Sequence, residues 1–318
     1  MTVDRVATNN QTSYMLSQIA KANVNLQQSE AQVATGKASQ DYAGIGDKTA
    51  ALEGARAASD RAAAYQASTQ LAITQTDLQD TQLTTLAGLS QQLQKAIQSA
   101  AAGSDGTGLM DTAKSVFDQA SAILNSTDSN GAYIYAGEKT DSKPFTATSL
   151  ADLVSTPSVS SFFQNGTIKK TVATGDGQTE TIGVLASDVG TNLMNALKAL
   201  YQEDTKSGSP GDLSGQLNDT QVNDLATNLA PLAGTAYTSL NEITGINGDV
   251  NTSLTGAVTS QKSLQNLYTG FVSDIEDADM ATALTKLSSN QTALQAVLTV
   301  TSKLNNLTLL DFLPSSTG

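Results

Sequence analysis

The side chains of this chain with the clearest chemical capacity are carboxylates. Asp274, Glu276, Asp277 and Asp279 stand within one short run. Their oxygens would suit Ca²⁺ or Mg²⁺. The run lacks the glycine and the ligand spacing of an EF-hand loop. Carboxylates at the start of a helix are favoured by its dipole, so a solvated helix start is the simpler reading. Elsewhere Gly175-Asp176-Gly177-Gln178 offers a glycine-rich turn, but no helix follows at once to cradle a phosphate. The sequence has no His, no Cys and no Trp. Histidine bases, thiolate nucleophiles and the usual zinc and haem ligands therefore have no residues to build them. Serines are plentiful, yet the common triads need histidine. A Ser–Lys dyad stays open in principle, without a Ser-x-x-Lys signal ahead of a catalytic scaffold. A pair of carboxylates could still hydrolyse a glycan. That chemistry calls for a cleft lined by aromatics, and aromatics are 4% of the chain. The expectation is a protein that is not an enzyme, with no cofactor and no metal.

The 318 residues leave room for two or three modest domains. The formal net charge is −13 and no basic cluster stands out, so no nucleic-acid groove is expected. Charged residues are 15%, against about 25% in typical soluble domains. Ser, Thr, Asn and Gln take their place. Either this is compositional bias, or the surface is built to be covered by a neighbour, since uncharged polar groups are buried without desolvating an ion. Without Cys there are no disulfides, so the chain stays in a reducing compartment or leaves the cell by a route independent of oxidative folding. MTVDRVATNNQTSYM has no apolar core and does not read as a secretory signal. No apolar run approaches the ~18–20 residues of a membrane span.

The elements that must position these residues are helices. From Asp277 to Leu313, Met280, Leu284, Leu287, Gln291, Leu294, Leu298 and Thr301 alternate in steps of four and three, the seam of a coiled coil. Val297 and Leu304 widen it. No Gly or Pro interrupts before Pro314. From Met280 to Leu310 such a helix is roughly 45 Å long at ~1.5 Å per residue. With one narrow apolar stripe it needs a partner helix or neighbouring copies. From Ser13 to Thr35, Leu16, Ile19, Leu26 and Val33 repeat the pattern, with Asn23 and Glu30 as polar seam positions. The two stripes can pair antiparallel, or each can pack on an ordinary core.

Gly36 is placed to cap the first helix. A loop with Gly44 and Gly46 leads to a second long helix from about Lys48 to Ala102, alanine-rich early and later striped by Leu71, Leu78, Leu86, Leu89, Leu93 and Ile97. The run Gly103 to Gly108 ends it, and Leu109, Ala113, Val116, Phe117, Ala120, Ile123 and Leu124 line one face of a third helix. Tyr133-Ile134-Tyr135 reads as a short strand, with a hairpin through Glu138 to Phe145. From Thr146 to Gly190 helical periodicity gives way to short alternating segments, Ile168 to Ala173 and Thr179 to Leu185. A short helix, Val189 to Tyr201, and a linker, Ser207 to Gly211, close this part. Leu213 opens a further helical region with Pro231 as a kink or break, followed by a long helix through Leu240, Leu254, Phe271 and Ile275. The fold class expected is mainly α: a long antiparallel helical rod with paired N- and C-terminal coiled-coil helices and a small, mostly β insertion. The domains expected are residues 1–40 with 277–318 (terminal coiled coil), 41–145 with 212–276 (helical rod with a short hairpin), and 146–211 (outward-facing insertion).

Three stretches resemble the flagellin superfamily. LQQSEAQVATGKASQDYAGIGDKTAAL, Leu26 to Leu52, looks like its heptad helix, Thr-Gly-Lys and acidic loop; Gln40, Asp41 and Tyr42 stand where that family has Asp-Asp-Pro. GAYIYAGEKTDSKPF, Gly131 to Phe145, is similar to its Gly-x-Tyr…Gly-x-x-Thr-x-x-x-Pro-Phe pattern. SDIEDADMATALTKLSSNQTALQA, Ser273 to Ala296, resembles the start of its C-terminal helix. GEKTDSKPF and the ending Thr308 to Leu313 look more like the superfamily's hook–filament junction members than its filament subunits. The resemblance implies a structural, extracellular part of the bacterial flagellum. It implies type III export, self-assembly into a ring or filament, and neighbouring hook-associated protein and flagellin as partners, with an export chaperone. It also implies terminal helices that are marginal alone and ordered on assembly. The assembly interface is then expected at Leu16, Ile19, Leu26, Val33, Met280, Leu284, Leu287, Leu294, Leu298, Leu304 and Leu307.

Overall fold

The computed structural model describes residues 2–206 and 212–310, with residues 2–9, 11, 12 and 304–310 as backbone alone. The linker expected at Ser207 to Gly211 and the ending from Asp311 to Leu313 lie outside the described residues. The elements are α1 (Thr2–Thr35), a 3₁₀ turn (Tyr42–Lys48), α2 (Thr49–Gly103), α3 (Leu109–Leu124), α4 (Leu150–Val154), a 3₁₀ turn (Val159–Phe162), β1 (Thr171–Gly175), β2 (Gln178–Thr181), α5 (Ala186–Asp204), α6 (Asp219–Asp224), a π turn (Leu225–Leu229), α7 (Ala230–Glu276) and α8 (Met280–Leu310). The protein is mainly α, with one two-stranded antiparallel sheet among the described residues. It divides into two compact units, Met1–Arg61 with Leu264–Gly318, and Ala62–Ser263.

In the unit Ala62–Ser263, α2 presents a heptad face. Ala62, Thr69, Ala72, Thr76, Gln79, Leu83, Leu86, Ser90, Leu93 and Ile97 are all buried. Followed back from Leu83 in steps of four and three, this face excludes Leu71 and Leu78. Those two, expected in the stripe, are exposed instead. The lower half of the seam is therefore polar. Asn247 Nδ2 donates to the Thr76 carbonyl at 2.9 Å, and Asn251 Nδ2 donates to Thr76 Oγ1 at 3.1 Å. Toward the other end the core is apolar. Leu109, Ala113, Val116, Phe117, Ala120 and Leu124 on one face of α3 meet Val189, Leu193, Met194 and Leu197 of α5, with Phe145 against Phe117 and Phe163.

The strand expected at Tyr133 to Tyr135 does not form. Gly131 and Gly137 take φ of +80° and +66°, turning the chain on both sides of it. Only isolated bridges remain, Thr127 with Tyr133 and Phe145 with Phe163, and Tyr135 is driven into the core. The sheet forms later, where Thr171 to Ala173 pair with Thr179 to Thr181 around the Gly177 turn. Helices α4 and α5 account for more of residues 146–211 than its strands do. Pro231 does not break the helical region. It stands second in α7, directly after the π turn, whose wider i→i+5 turn leaves room for its ring and for a residue without an N–H.

Candidate assembly interface

The terminal helices meet in the unit Met1–Arg61 with Leu264–Gly318. α1 ends at Gly36, whose φ of +69° is the left-handed conformation that favours glycine and whose N–H closes on the Gln32 carbonyl at 2.9 Å. The chain then crosses the α7–α8 junction. Lys37 forms an antiparallel bridge with Asp277. The Ala38 N–H donates to the Glu276 carbonyl at 2.6 Å and the Ala278 N–H to the Gly36 carbonyl at 2.8 Å. This fixes α1 antiparallel to α8 at their base.

Ion pairs surround the crossing. Lys37 Nζ lies 2.7 Å from Asp277 and 3.2 Å from Glu276. Arg56 pairs with Glu276 and, at 3.2 Å, with Glu53. Tyr42, at one of the positions where the resemblance has a different loop, donates its hydroxyl to Glu53 at 2.7 Å and accepts from Arg56. The Lys37 hydrogen bond, followed by that of Ser273, holds the Asp277 carboxyl below the usual range. Asp279 caps α8: it accepts from the Ala281 and Thr282 N–H groups and from the Thr282 hydroxyl, which lower its pKa too. Glu276 and Asp277 are thus spent on the crossing and Asp279 on a helix cap. Among the described residues no group of three or more His, Cys, Asp or Glu side chains is arranged to hold a metal ion. A cavity of about 650 Å³ lies beside the crossing, but Glu276 and Asp41 in its wall are already bonded, so no free carboxylate pair faces it.

Along the pair, the inward residues of α8 are Ala283, Leu287, Asn290, Leu294, Val297 and Thr301, at heptad spacing. Those of α1 are Met15, Ile19, Ala22, Leu26, Ser29 and Val33. Of the expected interface residues, Ile19, Leu26, Val33, Leu287 and Leu294 are thus half-buried between α1 and α8. Leu16, Met280, Leu284 and Leu298 point away, with 61%, 41%, 52% and 48% of their surface exposed. Asn23 and Glu30 are exposed, and Ala22 and Ser29 take the seam instead. The side chains of Leu304 and Leu307 lie outside the described residues. Among the described side chains of the pair, only Ser29 and Ala283 are buried. The pairing therefore leaves an apolar row on α8, and with it Tyr14, Leu16 and Val24 on α1, open to solvent. The sequence reading missed Asn290, Ser29 and Arg56. Small and polar residues in steps of three and four were the available signal for the first two; nothing local marks Arg56.

Residues 231–313 match the bacterial flagellin C-terminal helical region. No curated protein matches the sequence. Among solved structures, one from Vibrio parahaemolyticus, provisionally described as a flagellar hook-associated protein, shares the fold. Its TM-score is 0.56 at 16% identity, over 74% of this chain and 99% of that one. No helix among the described residues is long and apolar enough to cross a membrane.

Proposed function

We propose that this chain, flagellin-like in its C-terminal helical region, is a structural subunit of the bacterial flagellum that joins hook to filament. The observation that carries the reading is the apolar row Met280, Leu284 and Leu298, left open inside the matched region after α1 and α8 have paired. A helix pair with a second exposed seam is half of a larger bundle. Neighbouring copies supply the rest, so the activity is packing rather than catalysis. The GEKTDSKPF stretch and the motif Thr308 to Leu313 favour the junction role over the filament role, and the fold shared with a hook-associated protein is compatible with it. In that role the protein contacts hook-associated protein on one side and flagellin on the other, outside the cell. It would reach that place by type III export, with a chaperone covering its apolar rows.

The reading is tested by deletion and by counting. A deletion strain should shed filaments while keeping hooks, and labelled protein should sit in a ring at the hook tip. Label distributed along the filament would replace the junction role with that of a filament subunit. A motile deletion strain would remove the flagellar role altogether. Leu284→Asp should abolish assembly without unfolding the chain.

A further inference from the structure

α8 carries two overlapping seams. The one that faces α1 holds Ala283, Leu287, Asn290, Leu294, Val297 and Thr301. The other, rotated by one position, holds Met280, Leu284, Leu287, Gln291, Leu294 and Leu298 and is the more apolar. Burial of apolar area alone would turn the second seam inward. It stays outside. What distinguishes the observed seam is one polar layer. Asn290 Nδ2 donates to Ser29 Oγ at 2.7 Å and to the Asn25 carbonyl at 3.1 Å. Ser29, 4% exposed, donates in turn to the same carbonyl at 3.0 Å. Among the described residues no other side-chain hydrogen bond joins α1 to α8. Rotating α8 to its richer seam would take the Asn290 amide away from Ser29 and bring Gln291 inward in its place.

We propose that Asn290, acting through Ser29, selects which seam of α8 pairs with α1, and so keeps the Met280, Leu284 and Leu298 row free for a second helix. A single polar seam residue is a known means of fixing register and partner number at a cost in stability. Asn290 is in this sense a positioning residue. The inference deepens the assembly reading, and rests on it only for the use made of the outward row.

The chain has no cysteine, so introduced pairs report cleanly. One heptad from the Asn290 contact, Val297 falls opposite the turn that contains Ile19. Oxidation of dilute, full-length Ile19→Cys/Val297→Cys reports the observed seam, and Ile19→Cys/Leu298→Cys the alternative. The first should cross-link about tenfold better, the preference expected of two exchanged hydrogen bonds. Adding Asn290→Ala should reduce that ratio about tenfold. The reciprocal exchange Ser29→Asn with Asn290→Ser should restore it, which a packing role for Asn290 would not do. An unchanged ratio in Asn290→Ala, a failed restoration, or no Ile19→Cys/Val297→Cys product would overturn the proposal. Because the ratio is read within single chains, a normal ratio in a protein that fails to assemble would count against the flagellar reading alone.

Discussion

From Leu83 onward α2 turns Leu83, Leu86, Leu93 and Ile97 wholly into a core shared with α3 and α5, whereas α8 leaves Met280, Leu284 and Leu298 about half exposed. Both helices repeat apolar residues at heptad spacing. The difference lies in what surrounds them. The α2 leucines share one core with residues of α3, α5 and α7, to which Phe117, Phe145 and Leu193 also belong. Among the described residues α8 packs chiefly on α1, and α1 offers Ala22 and Ser29 where a core would have leucine. A two-helix seam of small residues buries little apolar surface, and an isolated helix pair gains little from propensity. One region is complete in a single chain, and the other leaves an apolar row open to solvent.

The largest effect that sharpens this contrast is a core truncation. Phe117→Ala should destabilise the unit Ala62–Ser263 by about 3–5 kcal/mol in urea denaturation. Leu284→Ala should change monomer stability by less than ~0.5 kcal/mol, because the side chain is already half in water. Similar losses from the two would erase the distinction. Next comes the polar half of the α2 seam. Asn247→Ala removes a buried donor from the Thr76 carbonyl and should cost about 1–3 kcal/mol, read from the same transition.

The smallest effect concerns pH. Asp277 and Asp279 have carboxyls lowered by bonds to their charged forms. A lowered folded pKa contributes stability that is present above the unfolded value, ~3.9, and is lost as pH falls through the lower folded value. The crossing at Lys37 and Asp277 should therefore hold at neutral pH and loosen only below about pH 4. Amide exchange at Ala278 and Ala281 would show it, and Lys37→Ala should move the loosening of Ala278 upward in pH.

Much of this was legible in the sequence. The breakpoints at Gly36 and around Gly103 to Gly108, the extent of α2 and the face of α3 follow from glycine, from heptad spacing and from the lack of proline. What was not legible is phase. Leu71 and Leu78 look like core, yet the seam that continues from Leu83 excludes them in favour of Thr76 and Gln79. The same substitution of small and polar for large and apolar occurs at Ser29 and Asn290. Hydrophobicity marks which residues prefer burial, but at Thr76, Ser29 and Asn290 cross-helix hydrogen bonds accompany the row that is buried, while the Gln79 amide is buried without one. Tyr133 to Tyr135 failed as a strand for a different reason: two flanking glycines at positive φ leave no length for a ladder.

Hydrogen exchange of the dilute monomer against the proposed assembly tests the central contrast most directly. In the monomer, amides of α1 and α8 should exchange through local openings, far faster than those of Leu83 to Ile97 and α5, which exchange only on global unfolding. Assembly should slow α1 and α8 by orders of magnitude and leave the core unchanged. Terminal helices protected as strongly as that core in the solitary chain would contradict the account.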